Sequence, residues 1–193
     1  MYEYIKGILV EATPTAAVVD CGGIGYLICI SVNTYSRISS EKEVMLYLHQ
    51  IVREDAHLLY GFYSKEERTL FRQLISVSGI GANTANVMLS SMNVHEIVGA
   101  ILTENVNAIK SVKGIGLKTA QRVIIELKDK VNASETSHEP LLGTSSVLKE
   151  EALAALMMLG FVKAQVSKVL DKLLSTGEIN GVEELIKKAL KLL

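Results

Sequence analysis

A Gly-Ile-Gly tripeptide occurs twice in the middle of this 193-residue chain, at 79–81 and at 114–116. Each copy lies in a longer repeat, because residues 75–91 align without gaps on residues 110–126 with seven identities in seventeen positions. A repeat of this kind indicates one structural unit used twice. Glycine permits backbone conformations and close approaches that a side chain forbids, and the isoleucine between the glycines can hold two flanking helices together.

Each repeat predicts a tight turn between two helices, and the chemistry of such a turn is anion binding. The first amides of the second helix have no partner within that helix. These amides and the aligned peptide dipoles favour a negative group, and the phosphate of a nucleic-acid backbone is a suitable one. A contact of this kind reads no base, so we expect it to be independent of nucleotide sequence.

The distribution of charge supports a nucleic-acid partner, although the net charge of −1 does not. Affinity for phosphate depends on clustered positive charge, so the total alone argues against DNA. Residues 1–63 carry 4 basic and 7 acidic side chains, whereas residues 64–130 carry 9 basic and 6 acidic ones. Both glycine turns therefore lie in the basic middle of the chain.

Glycine turns of this kind also occur in proteins that do not bind nucleic acids. A short glycine turn can be a plain connector between helices, and the sequence leaves that alternative open. The dinucleotide fingerprint GxGxxG does not fit, because Thr84 and Thr119 occupy its third glycine position and a helical pattern precedes each turn. The sequence contains no P-loop, so we do not expect this chain to be an ATP-driven motor.

The patterning around the turns predicts a multi-domain α+β protein. Residues 1–63 read as five short strands, near 2–10, 16–21, 26–31, 44–51 and 58–63, which suggests an OB-fold β-barrel. Residues 64–131 read as an all-α double helix-hairpin-helix domain. Ser64 with Glu67, and Asn93 with Glu96, predict N-terminal caps of two of its helices. The polar stretch 132–146 reads as a flexible linker, and residues 147–193 read as a three-helix bundle with helices near 147–159, 163–174 and 182–192.

These motifs carry a resemblance to a known family. The paired turns resemble helix-hairpin-helix DNA-binding motifs. Together with HQIVREDAHLLYGFYSKEERTLFRQLISVSGIG at 49–81 and KGIGLKTAQRVIIELKDK at 113–130, they resemble the RuvA family, which binds Holliday junctions in bacterial branch migration. The last 60 residues are similar mainly in architecture and in Ala-Leu-x-x-Leu-Gly-Phe at 155–161.

The resemblance implies a set of DNA-binding residues. Four glycines would place the phosphate-facing amides, and Lys118 and Arg122 would add charge beside the second turn. The implied DNA-binding residues are Gly79, Gly81, Asn83, Thr84, Gly114, Gly116, Lys118, Thr119 and Arg122. The chain departs from the family where Ala82-Asn83 stands in place of the usual Pro-Lys, and where Leu117 replaces a basic residue. The Asn83 amide can still donate a hydrogen bond to phosphate.

The resemblance also assigns a role to two adjacent carboxylates. Glu54 and Asp55 fall between the last two predicted strands, where a hairpin tip is expected. On their own they read as a solvated turn. In the family they would form an acidic pin at the centre of a bound junction, where like-charge repulsion steers the strands.

The resemblance implies an assembly as well as a site. It implies a homotetramer, with one or two tetramers on a four-way junction, that recruits the hexameric ATPase RuvB and acts with the resolvase RuvC. The C-terminal bundle, expected to be UBA-like, would contact the ATPase. Its candidate contact residues are Leu156, Met157, Leu159 and Phe161, although these side chains could instead form the core of the bundle.

The remaining chemistry favours a cytoplasmic, non-catalytic subunit without a cofactor or a metal. The histidines lack metal-ligand spacing, and Cys21 and Cys29 read as reduced packing residues. No apolar run is long enough to cross a membrane, and no signal peptide is expected. A DNA glycosylase and an OB-fold single-strand binder are the rival functions. The first would need a base-flipping pocket, and the second a basic barrel surface with stacking aromatics.

Overall fold

The computed structural model describes residues 2–135, 144–175 and 181–193. The chain divides into two compact units, Met1–His138 and Glu139–Leu193. The first unit contains the barrel and both glycine turns. The second contains the C-terminal helices.

The N-terminal residues form a closed five-stranded barrel, as predicted. Its strands are β1 (Tyr4–Thr13), β2 (Ala16–Cys21), β3 (Ile24–Ile30), β4 (Glu43–Val52) and β5 (His57–Phe62). The order around the barrel is β1-β2-β3-β5-β4, with β3 and β5 parallel and the other neighbours antiparallel. Closure removes the exposed strand edges. Alternating side chains such as Val19, Ile28 and Leu46 fill the interior.

A helix that the strand pattern did not predict connects β3 to β4. This helix, α1 (Val32–Ile38), has only seven residues, too few to show a helical period in sequence. The hydroxyl of Ser31 caps it by accepting a hydrogen bond from the amide of Thr34 at 3.0 Å.

The predicted helical region follows the barrel. It comprises α2 (Lys65–Ile75), α3 (Ala82–Ser91), α4 (Val94–Leu102), α5 (Val106–Lys110) and α6 (Leu117–Glu135). Both predicted N-terminal caps are present. Ser64 accepts from the Glu67 amide at 3.2 Å, and Asn93 and Glu96 form a complete capping box.

One hydrophobic cluster joins the barrel to the helical region, and a second cluster fills the barrel interior. Tyr60 and Phe62 of β5 pack with Phe71 of α2, at ring-centroid distances of 5.1 and 4.9 Å. The buried guanidinium of Arg68 donates to the backbone carbonyl of Glu3 at 2.7 Å and also pairs with the Glu3 carboxylate. The helical region is therefore held directly on the barrel, and the predicted boundary at 63/64 falls between packed elements.

Helix occupies both ends of the predicted linker. Helix α6 continues to Glu135, and α7 begins at Thr144, so the range 132–146 is shortened at both sides. Residues 136–143 lie outside the described residues. The flexible linker remains a prediction for these residues.

The C-terminal unit is a three-helix bundle, as predicted, built from α7 (Thr144–Met158), α8 (Lys163–Ser175) and α9 (Val182–Leu190). Its small core contains Leu156, Val166, Leu170 and Leu185. None of the described helices is both long and apolar enough to span a membrane.

Candidate nucleic-acid interface

The two glycine turns are built by the same hydrogen bonds, 35 residues apart. The Ser76 and Ser111 hydroxyls each donate to a carbonyl three residues earlier at 2.7 Å. Ile80 and Ile115 amides each donate to the valine carbonyl three residues earlier, at 3.0 and 3.1 Å. The amides of Ala85 and Ala120 close the first turn of the following helix at 2.9 Å in both copies. The sequence repeat is therefore a structural repeat.

The two glycines of each turn have different physical roles. Gly79 and Gly114 have φ values of +95° and +93°, a region that L side chains rarely adopt. Gly81 has an ordinary φ of −86°, and no described heavy atom lies within 4 Å of a Cβ placed at Gly81 or Gly116. The first glycine makes the turn possible, and the second leaves open space in front of the helix.

The helix that follows each turn begins with amides that have no partner within the helix. Gly81 is the N-cap of α3 and provides no side-chain cap, so the amides of the first turn are left for another acceptor. Ile80 and Ile115 are buried in the hydrophobic cluster that joins the barrel to the helical region and hold each turn in place, as predicted. Rigid, unpaired amides at two helix starts are suited to bind phosphate.

The two turns lie side by side. A Cβ atom at position 79 would be 3.7 Å from the Thr119 side chain of the second repeat. The Arg122 guanidinium donates from Nη1 to the Ser78 carbonyl at 3.3 Å and pairs through Nε with Glu126 at 3.7 Å. The resemblance implies for Arg122 only a charge beside the second turn. In the structure it also ties α6 to the first turn.

The first turn carries an amide where the second carries an ammonium group. Asn83 is exposed, and its Oδ1 accepts a hydrogen bond from the Tyr60 hydroxyl at 2.8 Å. The repeat places Lys118 at the equivalent position, and Lys118 is exposed. The adjacent Thr84 and Thr119 are half-buried.

The structure adds residues that the sequence reasoning did not select. Lys110 and Lys113 are exposed at the second turn, and Lys113 aligns with Ser78 of the first. The sequence alignment of the two repeats could have found Lys113. Tyr60 could not be found in this way, because its link to Asn83 joins β5 to α3.

Glu54 and Asp55 lie at a hairpin tip, as predicted. The tip joins β4 to β5 and is closed by the Arg53 amide, which donates to the Ala56 carbonyl at 2.8 Å. Both acidic side chains are exposed. Two like charges therefore lie next to each other on a short turn.

The candidate partner residues of the C-terminal bundle separate into two groups. Leu156 is 0% exposed in the bundle core, so its assignment as a partner contact is corrected. Phe161 packs against the same core and is only partly exposed. Met157 and Leu159 are exposed, and so are Met158 and Val162, which were not predicted.

The described residues contain no cluster of three or more His, Cys, Asp or Glu side chains that could hold a metal ion.

Cys21 is exposed at the end of β2, contrary to the expectation that it packs inside. Cys29 is half-buried, and burial raises the pKa of its thiol. Burial, followed by the charges of Arg72 and Arg68, lowers the pKa of His49.

The fold combines a closed OB-type barrel, two helix-hairpin-helix motifs that pack on it, and a helical bundle. This combination defines a class of multidomain helix-hairpin-helix proteins. The sequence matches three family models, described as RuvA N terminal domain at residues 1–61, SAM-like helix-hairpin-helix tandem at 71–129 and RuvA, C-terminal domain at 147–193. The chain belongs to the RuvA family.

Similar proteins cover the chain almost completely. Proteins of Bacteroides thetaiotaomicron and Christiangramia forsetii are each 50% identical, with 99% of both chains covered. A protein of Porphyromonas gingivalis is 46% identical, with 100% of both chains covered. All three are named Holliday junction branch migration complex subunit RuvA.

Proposed function

We propose that this protein is a non-catalytic subunit that binds four-way DNA junctions without reading their sequence and holds them open for branch migration. The observation that carries this proposal is the pair of matching turns, each with open glycine space in front of unpaired helix amides. Backbone amides contact phosphates and not base edges, so the binding is independent of sequence. The names of the similar proteins support a junction as the DNA form.

The acidic hairpin tip is proposed to act as a pin that steers strands. Glu54 and Asp55 are exposed and adjacent, so they repel phosphate backbones that approach the tip. Two unit charges 4 Å apart repel by about 1 kcal/mol in water and by more where water is excluded. Around a four-fold axis, four tips would discourage the original arms from pairing again.

The proposed assembly is a homotetramer, with one or two tetramers on the junction. An exposed apolar surface on the outside of the barrel supports it, since such surfaces commonly mark protein contacts. This outer barrel patch comprises Ile8, Val10, Ile24 and Leu27, on β1 and β3. Strand β2 lies between them, with Val18 beside Leu27 in register.

The C-terminal bundle is proposed to recruit the hexameric ATPase RuvB, with RuvC acting in the same cytoplasmic complex. Four exposed apolar residues at the α7–α8 turn support a protein contact there: Met157, Met158, Leu159 and Val162. Met158 is 90% exposed, and methionine is enriched in protein interfaces, so this apolar side chain is suited to contact a partner. The chain itself supplies no P-loop, so the energy for migration would come from the ATPase.

A binding titration of the full chain tests the proposal. A four-way junction, a duplex and a single strand of equal length are compared by band shift at one salt concentration. We expect the junction to bind most tightly. Equal affinities would refute junction recognition. A preference for the single strand would favour an OB-fold single-strand binder. Release of a base from the DNA would indicate a glycosylase.

A further inference from the structure

The first glycine turn has no lysine at the two positions where the second turn has one. Ser78 and Asn83 occupy the positions that Lys113 and Lys118 occupy in the second repeat. An ammonium group attracts phosphate in any rotamer. An amide side chain has a donor end and an acceptor end, so its value to phosphate depends on which end faces outward.

A buried tyrosine fixes the orientation of that amide. Tyr60 of β5 is 2% exposed, and its ring packs against Phe71 at 5.1 Å between centroids. Its hydroxyl donates to Oδ1 of Asn83 at 2.8 Å. Burial raises the pKa of the Tyr60 hydroxyl, so the group stays protonated and remains a donor at neutral pH.

The hydrogen bond determines what Asn83 presents to solvent. With Oδ1 engaged by Tyr60, the Nδ2 group forms the other arm of the planar amide. The described residues provide no acceptor for Nδ2, and the Asn83 side chain is exposed at the second residue of α3. Its donor therefore lies beside the unpaired amides that follow Gly81.

We propose that Tyr60 is a positioning residue for DNA binding, which holds Asn83 so that Nδ2 donates to a backbone phosphate at the first turn. The inference rests on the proposed function of the two turns. It assigns the turns different electrostatics, because a neutral amide releases no counterion when it contacts phosphate, whereas Lys118 does.

The test measures junction binding of the full chain by fluorescence anisotropy over a range of salt concentrations. We expect Tyr60→Phe and Asn83→Ala each to weaken binding at least about five-fold, the equivalent of one hydrogen bond, with an unchanged salt slope. The double variant should bind like Asn83→Ala alone, because both changes remove the same contact. Tyr35→Phe, the same chemical change elsewhere in the barrel unit, is the matched control and should bind like wild type.

A lysine variant provides a second arm. Asn83→Lys should restore or strengthen binding with a steeper salt slope, and adding Tyr60→Phe to it should change nothing, because an ammonium group needs no orientation. Thermal unfolding of each variant shows whether the fold is intact. If Tyr60→Phe does not fold, Asn83→Gln decides, because glutamine keeps the amide but moves it out of register with the Tyr60 hydroxyl; we expect it to bind as weakly as Asn83→Ala, and wild-type affinity would overturn the inference.

Several outcomes would overturn the inference. Wild-type affinity in Tyr60→Phe or Asn83→Ala would do so, as would additive losses in the double variant, which would mean that Tyr60 acts through another group. Failure of the proposed function is distinguishable. In that case the wild-type protein itself shows no preference for the junction, and Lys118→Ala binds like wild type.

Discussion

Each of the two lysines beside the second turn carries a unit charge. Lys113 and Lys118 are exposed beside Gly114 and Gly116. We expect Lys113→Ala and Lys118→Ala each to weaken junction binding and to reduce the salt slope by roughly 0.9 for each phosphate contact removed. The measurement is the observed binding constant against salt concentration.

A barrel lysine serves as the control for this prediction. Lys6 is exposed and pairs with Glu43 at 3.5 Å, outside the turns. Lys6→Ala should keep the wild-type slope. An unchanged slope in both turn variants would contradict a contact between these lysines and phosphate.

His49 links the barrel to α2 and makes stability depend on pH. Burial and the charges of Arg72 and Arg68 lower its pKa, and its Nδ1 accepts from Arg72 Nε at 3.3 Å. The unfolded chain therefore binds a proton more readily. Stability conferred by neutral His49 is present above the ordinary value of 6.5 and is lost as pH falls through the lowered pKa.

Urea unfolding at pH 7 and at pH 5.5 checks this sign. We expect wild type to lose stability between the two values and His49→Gln to lose less, because glutamine does not titrate. His95→Gln, at an exposed histidine, should behave like wild type. An equal loss in His49→Gln and wild type would contradict the assignment.

At the level of the hairpin element, the two glycines of each turn should respond differently to alanine. Gly79→Ala and Gly114→Ala place a side chain at positive φ and should lower stability by roughly 1–2 kcal/mol. Gly81→Ala and Gly116→Ala meet open space, so the loss of stability should be smaller, about 0.5 kcal/mol.

DNA binding should show the opposite order. A methyl group at 81 or 116 fills the space in front of the helix amides. We expect it to weaken junction binding about ten-fold, the equivalent of one hydrogen bond to a charged group. Calorimetry and anisotropy on the same four variants give both quantities. Normal binding by Gly116→Ala would show that phosphate does not approach there.

At the level of the whole molecule, the proposed tetramer would assemble through the outer barrel patch. Leu27 is 67% exposed in the outer barrel patch. We expect Leu27→Glu to reduce a tetramer to smaller species in light scattering, because a charge is costly to bury in an apolar contact. Leu192→Glu, at an exposed leucine of the C-terminal unit, is the control. A stable Leu27→Glu tetramer would exclude the patch from the interface.

The acidic tips are also proposed to act in the assembled molecule. The double change Glu54→Gln and Asp55→Asn removes exposed charges, so stability should change by no more than about 0.5 kcal/mol. Junction binding should be retained or tightened, while ATPase-driven migration is altered. Loss of junction binding with an intact fold would count against the pin.

Local sequence was sufficient for the features that depend on local physics. The strand and helix periods, the caps at Ser64 and Asn93, and the paired turns all depend on neighbouring residues, and the structure confirms them. The repeat identified Gly79 and Gly114 because each turn requires a positive φ, and glycine is the residue type that adopts it readily. The short helix α1 was missed because seven residues show too little periodicity.

Only tertiary packing decided the rest. Contacts between segments that are distant in the chain produce no regular spacing of residues in the sequence. The hydrogen bonds from Tyr60 to Asn83 and from Arg122 to Ser78 could therefore not be predicted. Burial of Leu156 and exposure of Met157 on adjacent positions likewise depend on where α8 and α9 pack. Sequence determined which residues are candidates for phosphate binding, and the fold determined which of them are exposed.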